Sequence, residues 1–231
     1  MSREIVPNYS EAPKPDLYER TIESSTRVLD KLFGLSVTGA DNVPMDGGGI
    51  AVMSHRHYAD PWVLGPSLPR AVYGMAKNEL LRPYYFGLGS IYLANRGIFF
   101  VDRDNPSSDS YNTSVETIKQ GHLLVMAIEG THRNRGPVIG ESRNGVGRIA
   151  LKATSESFAC TIIPVGMDTE DLHKRYRWHK PINVVIGEAI VVPTGSRNIR
   201  QRKSEAEELN HIVSESLQDV FSKAIDLRHS S

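Results

Sequence analysis

Unbroken apolar runs punctuate this chain: IAVM (50–53), GIFFV at the start of GIFFVDR (97–103), LLVMAI inside HLLVMAIEG (122–130), and CTIIPVG (160–166). A strand with one wet face alternates polar and apolar side chains, so an unbroken run marks a strand covered on both sides. Segments of helical length lie between the runs. A short helix is expected through Trp62, Val63 and Leu64 to the Gly65-Pro66 break, and KNELLRPYYFGLGSIYLA (77–94) reads as a short amphipathic helix with its trailing loop. SSDSYNTSVETIKQG (107–121) has Ser and Asp cap candidates at its start and Gly121 at its stop, and NGVGRIALKATSES (144–157) is a helix opened by glycines. LSVTGADNVP (35–44) reads as strand and turn, AVYGMA (71–76) as a strand, and PINVVIGEAIVV (181–192) as one or two late strands. Apolar strands alternating with helices predict an α/β, single-domain layered fold with a largely parallel central sheet flanked by helices.

Two longer helices frame the core, read as 35–192. After a polar, proline-bearing flexible arm (1–15), Leu17, Tyr18, Ile22, Val28, Leu29, Leu32 and Phe33 recur at helical spacing and predict an amphipathic helix over 16–34. Its apolar face either covers the core or lies on a membrane surface. The C-terminal helix is expected over 204–228, where Ser204 and Glu207 have capping-box spacing. Leu209, Ile212, Val213, Leu217, Val220, Phe221 and Ile225 then share one face.

Charge narrows the function. Lys plus Arg number 27 and Asp plus Glu 27, so no global field draws in nucleic acid and any anion site must be local. No apolar stretch approaches the roughly 20 residues that span a bilayer. MSREIVPNYSEAPKPD has no apolar signal core, and the single cysteine, Cys160, allows no internal disulfide. The expected compartment is cytoplasmic. Cys160, inside an apolar run, is read as buried rather than reactive.

Chemistry gathers where strands end. In IAVMSHRHYADP (50–61), His55, His57 and Asp60 stand where a strand hands over to a helix, with Pro61 at the first helical position. Two readings of Asp60 stay open: a helix cap, or a carboxylate that reaches back to His55, fixing its tautomer and leaving the other ring nitrogen to take a proton. Two more charged clusters also follow apolar strands, Asp102-Arg103 and EGTHRNR (129–135). In a parallel sheet such clusters meet at the carboxyl edge, where ligands bind. A His held by a carboxylate can deprotonate an alcohol attacking an activated acyl carbon. Arg103, Arg133 and Arg135 have the fork geometry that suits phosphate. Glu129, acceptor-only when ionised, suits a substrate hydroxyl or an arginine.

These segments resemble the glycerolipid acyltransferase family, that of lysophosphatidate and glycerol-3-phosphate acyltransferases. His55 and Asp60 match its His-x4-Asp motif, GIFFVDR its second motif, IEGTHR (128–133) its Pro-Glu-Gly-Thr-Arg-Ser motif and IIPVG (162–166) its Val-Pro-Val run, in the family's order. The resemblance implies that His55 is the general base and Asp60 its orienting partner. It implies that Arg103, Glu129, Gly130 and Thr131 form the acceptor's phosphate site. It implies an acyl thioester donor, on coenzyme A or an acyl carrier protein, with no further cofactor. The acceptor would be a lysophosphatidate-type glycerophosphate in phospholipid synthesis, reached by peripheral contact with the inner face of the cell membrane. Three positions depart from the pattern: His57 replaces a small serine, Ile128 a proline and His132 an arginine. Neutral His132 holds phosphate less well, so either Arg133 or Arg135 compensates or the acceptor is not a simple glycerol phosphate.

Two alternatives compete. His55-x-His57-x-x-Asp60 is a near miss to the zinc-hydrolase pattern His-x-His-x-Asp-His, with Ala59 where its Asp would stand and Pro61 unable to ligate. The chain could also be a non-catalytic lipid-binding relative.

Overall fold

The computed structural model describes residues 15–57, 60–77, 98–101, 108–130, 137–169, 182–196 and 198–229. Of the helix and trailing loop expected over 77–94 only Lys77 is described, in a strand, and the arm before Pro15, Arg103, and the Thr131, His132, Arg133, Arg135 group lie outside the described residues.

The elements are α1 (Pro15–Phe33), β1 (Leu35–Thr38), a 3-10 turn (Ala40–Asn42), β2 (Gly49–Met53), α2 (Asp60–Ser67), β3 (Val72–Lys77) and β4 (Ile98–Val101). They continue with α3 (Ser108–Lys119), β5 (Leu123–Ala127), α4 (Gly145–Ala153), β6 (Thr161–Met167), β7 (Ile182–Ile186), β8 (Ile190–Val191) and α5 (Ile199–His229). One sheet is ordered β1-β7-β6-β2-β5-β3-β4, with β8 paired to β6. The run from β6 to β4 is parallel throughout, with Met53 level with both Val165 and Ala127. β1 and β7 are parallel to each other, but β7 and β8 meet β6 antiparallel.

This late reversal explains Pro164, which would break a continuous ladder. Its carbonyl accepts from Gly187 N at 2.9 Å. In a strand the missing N–H faces the same edge, and there β7 gives way to β8.

Both faces of the sheet are covered, as the unbroken apolar runs require. Ile50, Val52, Leu124, Met126 and Ile162 pack beneath α3, α4 and α5 through Ile118, Ile149, Val213 and Leu217. Ala51, Met53, Leu123, Ile163 and Val165 face the other way, against Val63, Leu64 and Leu68 of the α2 region and Leu29 of α1. Each such Leu or Ile, fully buried, contributes roughly 1.5–3 kcal/mol. Two glycines set the closest approaches. A Cβ on Gly166 would meet Val220 and Phe221 backbone at 2.4 Å, so α5 lies directly on β6; one on Gly65 would lie 3.2 Å from Ile22, where α1 crosses α2.

Several boundaries differ from expectation. The C-terminal helix begins at Ile199, not at the Ser204 capping box. Asn198 is the working cap: its Oδ1 accepts from Arg200 N at 3.0 Å and Gln201 N at 3.5 Å. The α2 helix runs past Gly65 and Pro66 to Ser67. Helix α4 stops at Ala153, because Ser155 and Phe158 close a tight turn. Its start is capped from another helix, where Asn210 Oδ1 accepts from Gly147 N at 3.0 Å. The N-terminal helix ends as expected at Gly34, whose φ of 67° suits a glycine stop.

Candidate active site

The β2–α2 connection carries His55 to the carboxyl edge of the sheet, beside the end of β5. Asp60 is fully buried and turns its carboxylate back into the preceding turn. Oδ2 accepts from Arg56 N at 2.6 Å and His57 N at 2.7 Å, and lies 3.0 Å from His55 Nδ1. Oδ1 accepts from Thr169 Oγ1 at 2.8 Å. Asp60 therefore stabilises the turn and holds the imidazole at once, rather than serving only as a helix cap. An ionised carboxylate at Nδ1 selects the tautomer with its proton there, which puts the basic lone pair on Nε2. The imidazole is 18% exposed against 0% for Asp60, so the ring alone of the pair reaches solvent.

A second carboxylate braces the same turn. Glu129 Oε1 accepts from Ser54 Oγ at 2.9 Å and Gly140 N at 3.0 Å, and Oε2 accepts from His55 N at 3.0 Å. Glu129 is buried, and these three bonds bind the protein's own backbone and a serine. Gly130 follows with φ 66°, and Arg143 Cδ lies 3.0 Å from where its Cβ would stand. Arg143 is exposed, a cation at the lip of the edge that no motif pointed to.

The neighbouring turn residues are inward. His57 is 3% exposed, and Arg56 donates to Val138 O at 2.8 Å while its guanidinium sits 4.1 Å over the Phe221 ring. His55, His57 and Asp60 do not form the metal-ligand trio of the hydrolase alternative: among the described residues no three His, Cys, Asp or Glu side chains are grouped to hold an ion. Both Asp60 oxygens are already engaged, Oδ2 by two amides and the His55 ring and Oδ1 by the Thr169 hydroxyl.

The β4 end, which leads to Arg103, shares the carboxyl edge but is separated from β5 by β3. At about 4.8 Å per strand, it stands roughly 10 Å from β5. Cys160 is fully buried, and burial pushes its thiol up to about 12.

The described site is therefore an Asp-held histidine at the carboxyl end of the central strand of a largely parallel α/β sheet. A family profile described as Acyltransferase matches residues 34–168, which takes in β2, the His turn, Glu129 and β6. The chain belongs to that acyltransferase family, the one its motifs resemble. It is 31% identical to the 1-acyl-sn-glycerol-3-phosphate acyltransferase of Bacillus subtilis (strain 168) over 105 residues. That match covers 45% of this chain and 51% of the relative, so the chain spans about half the length of the curated relative it matches. Its fold is shared with the crystal structure of the 1-acyl-sn-glycerophosphate acyltransferase PlsC of Thermotoga maritima. The TM-score is 0.64 at 21% identity, covering 91% of this chain and 83% of that one.

Proposed function

We propose that this protein transfers an acyl group from a thioester, on coenzyme A or an acyl carrier protein, to the hydroxyl of a lysophosphatidate-type glycerophosphate acceptor. The observation that carries this is the 3.0 Å contact of His55 Nδ1 with an Asp60 carboxylate that three further donors hold in place. His55 Nε2 takes the proton from the acceptor hydroxyl as its oxygen attacks the thioester carbonyl carbon. The tetrahedral adduct expels the thiolate as the C–S bond breaks, and the imidazolium returns the proton to sulfur. Asp60 stabilises the imidazolium between the two transfers. The acceptor phosphate is assigned to Arg103, Gly130, Thr131, His132, Arg133 and Arg135, with Arg143 adding a described cation beside Gly130. The named relatives act on 1-acyl-glycerophosphates, which supports this acceptor.

Membrane contact is part of the proposal, with the cytoplasmic face as its site. Among the described residues no helix is long and apolar enough to cross a bilayer. Leu29 of α1 packs on the core, while Val28 is 54% and Trp62 40% exposed, and both line one shallow apolar groove with Ser24 and Ser25. Liposome flotation of Val28→Glu with Trp62→Glu checks this without stripping the core. Flotation equal to wild type would remove α1 from the docking face.

Thiol release from palmitoyl-coenzyme A with lysophosphatidate, glycerol 3-phosphate or no acceptor tests the reaction, in wild type and His55→Ala. Release that needs one acceptor and falls about 10²–10⁴-fold in the variant is expected. Acceptor-independent release that survives His55→Ala would overturn the mechanism. If coenzyme A thioester is inert, acyl carrier protein thioester is tried in the same three arms, and silence there would overturn the enzyme reading.

A further inference from the structure

Asp60 divides its bonds unequally. The three donors to Oδ2 all come from its own turn, residues 55–57. Oδ1 is held from elsewhere, by Thr169, 109 residues along the chain. Both residues are buried, Asp60 at 0% and Thr169 at 2% exposed, so no bulk water substitutes for the hydroxyl. Thr169 follows β6, the neighbour of β2, and its position is itself anchored. Asp168 N donates to Asn183 O at 3.0 Å, and the Asp168 carboxylate receives Arg228 at 3.0 and 3.1 Å from the last turn of α5.

We infer that Thr169 is a positioning residue for the His55–Asp60 pair: its hydroxyl fixes the rotation of the Asp60 carboxylate that presents Oδ2 to the imidazole. The inference rests on the acyl-transfer reading for its catalytic consequence, but not for its geometry. With Thr169→Val, Oδ1 is left buried without its donor, and the carboxylate turns to find another. The His55 ring then loses its fixed tautomer and orientation, while no residue assigned to the acceptor phosphate is changed. Displacing a catalytic group by about 1 Å costs on the order of 10²-fold in rate, so kcat is expected to fall about 10- to 100-fold with KM for both substrates unchanged. Thr169→Ser, which keeps the hydroxyl, is expected to remain near wild type.

The deciding experiment pairs those kinetics with imidazole 15N NMR at neutral pH, the His55 signals being assigned by their absence in His55→Ala. A wild-type Nδ1–H signature retained in Thr169→Ser and altered in Thr169→Val supports the inference. Thr169→Ala, which removes the hydroxyl without adding a methyl, replaces Thr169→Val if the latter does not fold. An unchanged His55 signature in the hydroxyl-free variant, or a loss carried by KM alone, overturns it. If wild type turns over no thioester, the acyl-transfer reading fails, and the NMR comparison still decides the role of Thr169.

Discussion

Glu129 holds the backbone N–H of His55 at 3.0 Å, so the residue that opens the proposed base's turn is tied to the end of the neighbouring strand by a carboxylate 74 positions away. A glutamine keeps the shape but offers only one acceptor oxygen to three donors. Glu129→Gln is expected to cost about 1–3 kcal/mol, the price of a buried donor left unmade. It should lower Tm and kcat together while leaving acceptor KM unchanged. A rise in acceptor KM at full stability would instead make Glu129 a substrate ligand.

Ile128 stands where the family pattern has proline, and the difference adds a bond. Its N–H donates to Met53 O at 3.0 Å, carrying the β5–β2 ladder one step beyond the Ala127–Met53 pair. Ile128→Pro removes that donor and part of a side chain that is 1% exposed. The expected loss is about 1–3 kcal/mol, at roughly 2–4 °C of Tm per kcal/mol. Ile128→Val keeps the N–H and should cost less, so equal losses would place the whole effect in side-chain packing.

His122 predicts an acid sensitivity remote from the site. Burial, and then the charge of Arg70, hold its pKa below the ordinary value. The ring stacks on Tyr73 with centroids 4.5 Å apart. Below about pH 6.5 the unfolded chain takes up a proton that folded His122 resists. Its contribution is therefore intact above that pH and lost as pH falls toward the lowered native value. Tm compared at pH 7.5 and 5.5 should drop less in His122→Gln than in wild type, and equal drops would refute the assignment.

Cys160, with its thiol pushed up to about 12, should resist modification in the native protein. At pH 8 the native thiolate fraction is roughly one in ten thousand, and the group is walled off as well. Thiol-reactive dye is expected to label it quickly in denaturant and natively only at the rate of opening. Fast native labelling would show that the core under α4 breathes.

Local order was readable in the residues. Unbroken apolar runs announced strands covered on both faces, and Ile50, Val52, Leu124 and Ile162 are indeed buried between helical layers. His55 and Asp60, five positions apart on one turn, were close enough in sequence to be paired. Ser204 and Glu207 match a capping box and so point to a later start for α5, whereas Asn198, six residues earlier, has its amide donors in reach. Nothing in a linear pattern announced the reversal of β7 and β8 or the order β1-β7-β6, since hydrophobic periodicity is the same in either strand direction. Nor did it announce Thr169 on Asp60 or Glu129 on Ser54, contacts across 109 and 75 residues. A polar residue at a strand end has no periodicity of its own, and its partner is chosen by which strands become neighbours when the apolar faces are buried.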